Sequence, residues 1–88
     1  MRTLAIETSC DDTSLAIVSD IGDIIVCEKL VTKSQTIHQK YGGVVPELAS
    51  RAHSDDILIV LADILDQMNW TMSDLQEMID SISVTMIC

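Results

Sequence analysis

Leu4 and Ile6 alternate with Thr3, Ala5 and Glu7, the two-residue period of an extended chain, which predicts a first strand over residues 2–8. A polar insert, Thr8-Ser9-Cys10-Asp11-Asp12-Thr13, interrupts the pattern. Leu15-Ala16-Ile17-Val18 then reads as a second strand, apolar on both faces as in a strand covered from two sides. Asp20-Ile21-Gly22-Asp23 supplies turn chemistry, and a third strand is predicted from about Ile24 to Val31. Connections this short make strands one to three an antiparallel meander.

The period changes after Tyr41-Gly42-Gly43-Val44-Val45-Pro46. Two glycines break the extended pattern, and proline suits the first position of a helix, where its missing N–H has no partner to lose. A long helix is predicted from Pro46 to Met68. At 100° per residue, Leu48, Ala49, Ala52 and Ile59 share one side, and Ile57, Leu58, Leu61, Ile64, Leu65 and Met68 the other. Asp56, Asp63 and Asp66 are expected on the remaining polar arc. An apolar arc this wide is buried inside a larger domain or docked on a partner. Ser73-Asp74-Leu75-Gln76 fits a capping box opening a short helix to about Met78, and Ile82, Val84 and Met86 alternate again as a fourth strand.

The predicted order is β-β-β-α-α-β, an α/β arrangement. A strand reached from strand three through a helix is most simply parallel to a sheet neighbour, and at the rim it leaves unpaired backbone groups. The 88 residues are therefore expected to be one incomplete domain, with no second domain.

Composition narrows the class. The chain is 48% hydrophobic with one Trp, one Tyr and no Phe, so an aliphatic core is expected in a globular chain. No run of about 18 apolar residues and no signal-peptide layout is present, which predicts a cytoplasmic protein with no membrane association. Cys10, Cys27 and Cys88 lack the spacing of a disulfide framework or a zinc site. The net charge of −9 disfavours direct binding to nucleic acid. Between Glu28 and Glu47 there are no acids, only Lys29, Lys33, Lys40 and His38, a stretch that is either a solvated loop or one facing an anion. From the residues alone, Asp11 and Asp12 either close the first hairpin as an Asx turn or carry chemistry.

Two stretches carry a resemblance. IETSCDDT at residues 6–13 and YGGVVPELASRAH at residues 41–53 resemble the opening of the TsaD (Gcp) family, the tRNA N6-adenosine threonylcarbamoyltransferases. The likeness spans about residues 1–85. It implies an actin/hexokinase/Hsp70-like fold, built from duplicated RNase H-like domains, of which these residues would be the N-terminal portion of the first subdomain. It also implies a reaction, in which the threonylcarbamoyl group of threonylcarbamoyl-AMP passes to the adenosine 3′ of the anticodon in tRNAs reading codons that start with A.

In that fold class the first hairpin turn approaches the nucleotide phosphates. Thr8, Ser9 and Cys10 would then offer N–H and hydroxyl groups to phosphate oxygens. A carboxylate is repelled by phosphate, so Asp11 would instead orient the attacking amine or accept its proton, with Asp12 second. The family holds one divalent metal ion, iron or zinc, through an H-x-x-x-H pair that this chain lacks; neither His38 nor His53 is assigned as a ligand, and no metal residue is expected here. The resemblance further implies a TsaB-like paralogue docked on the long helix, with Ile57, Leu58, Leu61, Ile64 and Leu65 as interface candidates. Other threonylcarbamoyladenosine-synthesis proteins would join it, and tRNA would be reached through the full complex. YGGVVPELASRAH also reads as a plain helix entry, with Glu47 and Arg51 pairing four residues apart.

Thr85-Met86-Ile87-Cys88 departs from the family, which continues from the Thr into a Gly-Pro-Gly turn. A truncated or frameshifted product, inactive alone, is expected. Two alternatives belong to other classes. One is a non-catalytic TsaB-like docking module; the other is a kinase of the same superfold, against which stands the missing glycine in Cys10-Asp11-Asp12-Thr13.

Overall fold

The computed structural model describes residues 1–9, 12–34 and 46–87, in backbone only for 46–52 and 86–87. Three strands, β1 (Arg2–Ser9), β2 (Asp12–Ile21) and β3 (Ile24–Ser34), precede two helices, α1 (Pro46–Met68) and α2 (Met72–Met78), and a last strand, β4 (Ser81–Ile87). The predicted β-β-β-α-α-β order holds. The sheet runs β3-β2-β1-β4; β1 is antiparallel to β2, β2 antiparallel to β3, and β4 parallel to β1. β3 and β4 are its edges.

The β2–β3 hairpin turns at Gly22-Asp23 between the paired Ile21 and Ile24. Gly22 takes φ +63, the left-handed conformation that the first position of a tight hairpin turn requires and that a side chain would strain. β3 carries one extra residue: Ile17 faces Lys29 and Val18 faces Cys27, leaving Glu28 in a bulge.

One face of the sheet is organised in rows. Thr8, Thr13 and Lys33 face one another across β1, β2 and β3 at the end that carries the β1–β2 turn. Ile6, Leu15 and Val31 form the next row, Leu4, Ile17 and Lys29 the third, and Arg2 and Ser19 the last. α1 lies over β2 and β3 and runs from the turn end toward the Arg2 end. Asp56, Val60 and Ile64, all buried, follow one another at four-residue steps. Four helical residues rise about 6 Å and two strand residues about 6.7 Å, so each helical turn meets one row. Leu4, Leu15, Ile17, Val31, Val60 and Ile64 make the core, with Ile6, Leu61, Met68, Trp70 and Ile79 packed around it.

Asp56 departs from the polar arc expected of it: it is 4% exposed and faces the sheet, because Lys33 supplies a partner there. The wide apolar arc divides. Ile64 and Leu65 are buried, Leu61 and Met68 partly covered, and Leu58 and Ile59 face outward at 69% and 53% exposure.

α1 stops through Asn69, at φ 59, whose N–H donates to the Asp66 carbonyl (3.1 Å) while Trp70 N–H donates to the Leu65 carbonyl (2.9 Å). This is a Schellman end, and asparagine is the side chain other than glycine that best tolerates the conformation. The short helix is capped by Thr71, not by Ser73 as its sequence suggested. Asp74 N–H donates to Thr71 Oγ1 (3.1 Å), and Thr71 N–H donates to Asp74 Oδ2 (2.8 Å). The box closes two residues earlier because Asp74, with its short side chain at the third helical position, already satisfies the cap.

At the far end, Arg2 ties four elements together. Its guanidinium reaches Glu28 of β3, lies 5.4 Å from the centre of the Trp70 ring and donates to Met78 Sδ (3.6 Å). Its backbone exchanges two hydrogen bonds with Asp80, each 2.8 Å, which set β4 alongside β1.

Candidate functional site

Four residues of the polar insert lie in strands, Thr8 and Ser9 ending β1 and Asp12 and Thr13 opening β2, with Thr8 and Thr13 as the last pair between the two. Cys10 and Asp11 lie outside the described residues. The residues flanking them divide between the two faces of the sheet. Thr8 (8% exposed) and Thr13 (0%) point under α1, whereas Ser9 and Asp12, by strand alternation, take the opposite face. Thr8 and Ser9 therefore do not present their hydroxyls on the same side; Thr8 is a core polar residue.

Asp12 begins β2 and pairs with Ser34 at the end of β3, whose hydroxyl donates to Asp12 Oδ1 at 2.6 Å. One ladder step inward on that face, Ser14 and Thr32 share a hydroxyl–hydroxyl bond of 2.8 Å. Glu7 sits beside Ser14 on one flank and Thr85 on the other, and is exposed. The face opposite α1 thus carries, around the turn, two carboxylates among short hydroxyl side chains. Asp12 is oriented from the side by Ser34, an arrangement suited to positioning a polar group or accepting a proton. Among the described residues no group of three or more His, Cys, Asp or Glu side chains could hold a metal ion.

On the α1 side the turn end is roofed by polar groups. Thr13 Oγ1 and His53 Nδ1 are 2.5 Å apart, and Lys33 Nζ donates to Asp56 Oδ1 at 2.8 Å. Asp56 Oδ2 is buried and has no hydrogen-bond partner among the described residues. Lys33, which the sequence left open to an anion, is committed to Asp56. Lys40 and His38 lie outside the described residues. The His53–Thr13 and Asp56–Lys33 contacts were missed by sequence reasoning. Their signal was the spacing of His53, Asp56 and Val60 at one helical face, which places polar residues on the stripe that buries Val60 and Ile64.

The expected interface residues separate in the same way. Leu58 is exposed, Ile57 half-buried and Leu61 packed against the core, while Ile64 belongs to the core with the sheet and Leu65 is buried. The outward apolar surface of α1 is Leu58 with Ile59, which the wheel had put on the other side. No described helix is long and apolar enough to cross a membrane.

The profile of a family described as TsaD, tRNA N6-adenosine threonylcarbamoyltransferase, matches residues 25–86. A protein of that name from Gemmatimonas aurantiaca is 45% identical over 85 residues, covering 97% of this chain and 23% of the relative. One from Cytophaga hutchinsonii is 53% identical over 72 residues, 82% of this chain and 20% of the relative. One from Nostoc punctiforme is 48% identical over 73 residues, 81% and 20% respectively. The chain spans about a fifth to a quarter of the length of these curated relatives. On the profile match and these identities together, the chain belongs to the family of tRNA N6-adenosine threonylcarbamoyltransferases.

Proposed function

We propose that these 88 residues supply the turn-bearing, N-terminal part of the first RNase H-like subdomain of a transferase that moves a threonylcarbamoyl group from threonylcarbamoyl-AMP to a tRNA adenosine. The adenosine would be the one 3′ of the anticodon in tRNAs reading codons that start with A. The observation that carries this reading is Asp12, at the start of β2 and across the sheet end from Ser9, held by the hydroxyl of Ser34.

Adenine's exocyclic amine is a weak nucleophile. Its nitrogen attacks the carbamoyl carbon, the bond from that carbon to the phosphate oxygen breaks, AMP leaves, and the nitrogen sheds a proton. Asp11 accepts or orients that proton; Asp12, one residue on, orients the turn or the amine. Backbone N–H groups from Ser9 and Cys10 face the phosphate, since short polar residues permit close approach of an anion to main-chain donors. The buried Thr8 side chain contributes by fixing the strand, not by direct contact.

The family's metal ion, iron or zinc, finds no matching ligand set among the described residues. A TsaB-like paralogue docks on the outward face of α1, where Leu58 and Ile59 are exposed. The site of action is the cytoplasm. These 88 residues alone do not turn over, because they span only about a fifth to a quarter of the length of the curated transferases they match. The test is formation of threonylcarbamoyladenosine by the isolated chain against a blank without protein: product above the blank contradicts the reading.

A further inference from the structure

The α1–sheet contact changes character along its length. Toward Arg2 it is adhesive, with Val60 and Ile64 on Leu15, Ile17 and Val31. At the turn end it is directional: His53 Nδ1 meets Thr13 Oγ1 at 2.5 Å, and Asp56, 4% exposed, takes Lys33 Nζ at 2.8 Å. Adhesion alone does not call for these polar groups. Thr13 and Asp56 are buried, but His53 is half-buried and the Lys33 side chain is 44% exposed, and a part-exposed ion pair adds little to stability. The arrangement even carries a cost, because Asp56 Oδ2 is buried without a partner among the described residues.

What a hydrogen bond adds to packing is a fixed direction. Thr13 is 0% exposed, adjoins Asp12 in the chain and faces Thr8, the residue before Ser9. A displacement of Thr13 is therefore passed to both limbs of the turn. We infer that His53 is a positioning residue, acting through the Thr13 hydroxyl to fix the facing ends of β1 and β2 at Ser9 and Asp12, with the Lys33–Asp56 pair setting the helix against the neighbouring strand. This rests on the proposed transferase reading, in which Ser9 faces phosphate and Asp12 the amine. It deepens that reading by assigning a task to α1 inside the site.

Two measurements test it. In the 88-residue chain, His53→Leu raises amide hydrogen exchange in residues 8–14 about tenfold over that in residues 15–19, because local opening follows the lost contact. Thr13→Ser, which keeps the hydroxyl, leaves the exchange pattern unchanged. Equal protection of residues 8–14 in His53→Leu and the parent overturns the clamp.

The second measurement uses a graft of residues 1–85 onto the remainder of the Gemmatimonas aurantiaca relative. There His53→Leu lowers kcat about tenfold or more while KM stays within about twofold and Tm does not fall, since misplacing a reacting group costs rate more than binding. His53→Asn, which returns a polar atom toward Thr13, recovers most of the rate. Full activity of His53→Leu overturns the positioning role, as does a loss of kcat that tracks Tm and is not rescued by asparagine. A folded graft that is inactive with His53 intact overturns the transferase reading instead, and the exchange experiment then decides the clamp by itself.

Discussion

Arg2 holds Glu28 through both arms of the carboxylate, Nε to Oε2 at 2.7 Å and Nη2 to Oε1 at 3.0 Å, joining the first strand to the bulge of the third. Ser19 donates a further hydrogen bond to Glu28 Oε2 from the strand between them. The bonds from Arg2, then from Ser19, hold the Glu28 carboxyl below its ordinary value of 4.5, against the opposing effect of burial. Arg2, raised by the same pair, stays charged throughout. The folded state therefore favours ionised Glu28: its stabilisation is complete above the ordinary value and is lost as pH falls through the lower, folded one. Glu28→Gln should lower the urea midpoint near neutrality, and the gap between variant and parent should close in acid. A gap independent of pH contradicts the assignment.

Core truncation tests the row-by-turn packing. Ile64 is fully buried where α1 crosses the sheet, so Ile64→Ala should cost about 2–5 kcal/mol, a large share of the stability of so small a domain. Leu58→Ala, on the outward face, should change stability by less than about 0.5 kcal/mol. Chemical denaturation of the two variants side by side reads the difference; equal losses would place α1 in another rotation.

The cap of α2 gives a third test. Thr71→Ala removes the acceptor for Asp74 N–H and should destabilise the chain by about 0.5–2 kcal/mol, whereas Ser73→Ala should be close to neutral. The reverse order would restore Ser73 as the cap.

Uncovered apolar surface governs solution behaviour. Ile82 and Val84 on edge strand β4, Leu58 and Ile59 on α1, and Ile21, Ile24 and Ile25 around the hairpin tip are all exposed. Together with two open sheet edges this favours association. The isolated chain should bind ANS and self-associate, and Leu58→Glu should reduce both if the helix face dominates. Leu61→Glu should instead unfold the chain, because Leu61 packs on the core. A monodisperse monomer with no ANS binding would contradict this.

Much of the architecture is legible in the residues because local pattern and tertiary burial agree. Alternation located β1, and Pro46 marked the start of α1. The side chains that escaped are those whose environment is set by distant partners. Asp56 looks like a solvent-facing acid until Lys33, on another element, draws it under the helix. Thr71 loses to Ser73 on sequence because both are good caps, and only the backbone at Thr71, φ −87 and ψ 172, decides between them. Thr8 and Ser9, adjacent in the motif, are separated by the strand's two-fold alternation. The family was legible from two short motifs; the clamp behind the turn was not, since His53 and Thr13 meet only when α1 folds back over β2.

The catalytic role proposed for Asp11 is tested most directly by Asp11→Asn in the graft of residues 1–85 onto the Gemmatimonas aurantiaca relative. Formation of threonylcarbamoyladenosine is followed at saturating substrates alongside Tm. The expected result is an active parent and a variant slowed about 10²-fold or more, within the range for losing a general base, with Tm unchanged. A variant as active as its parent would return Asp11 to a turn-forming role and contradict the central claim.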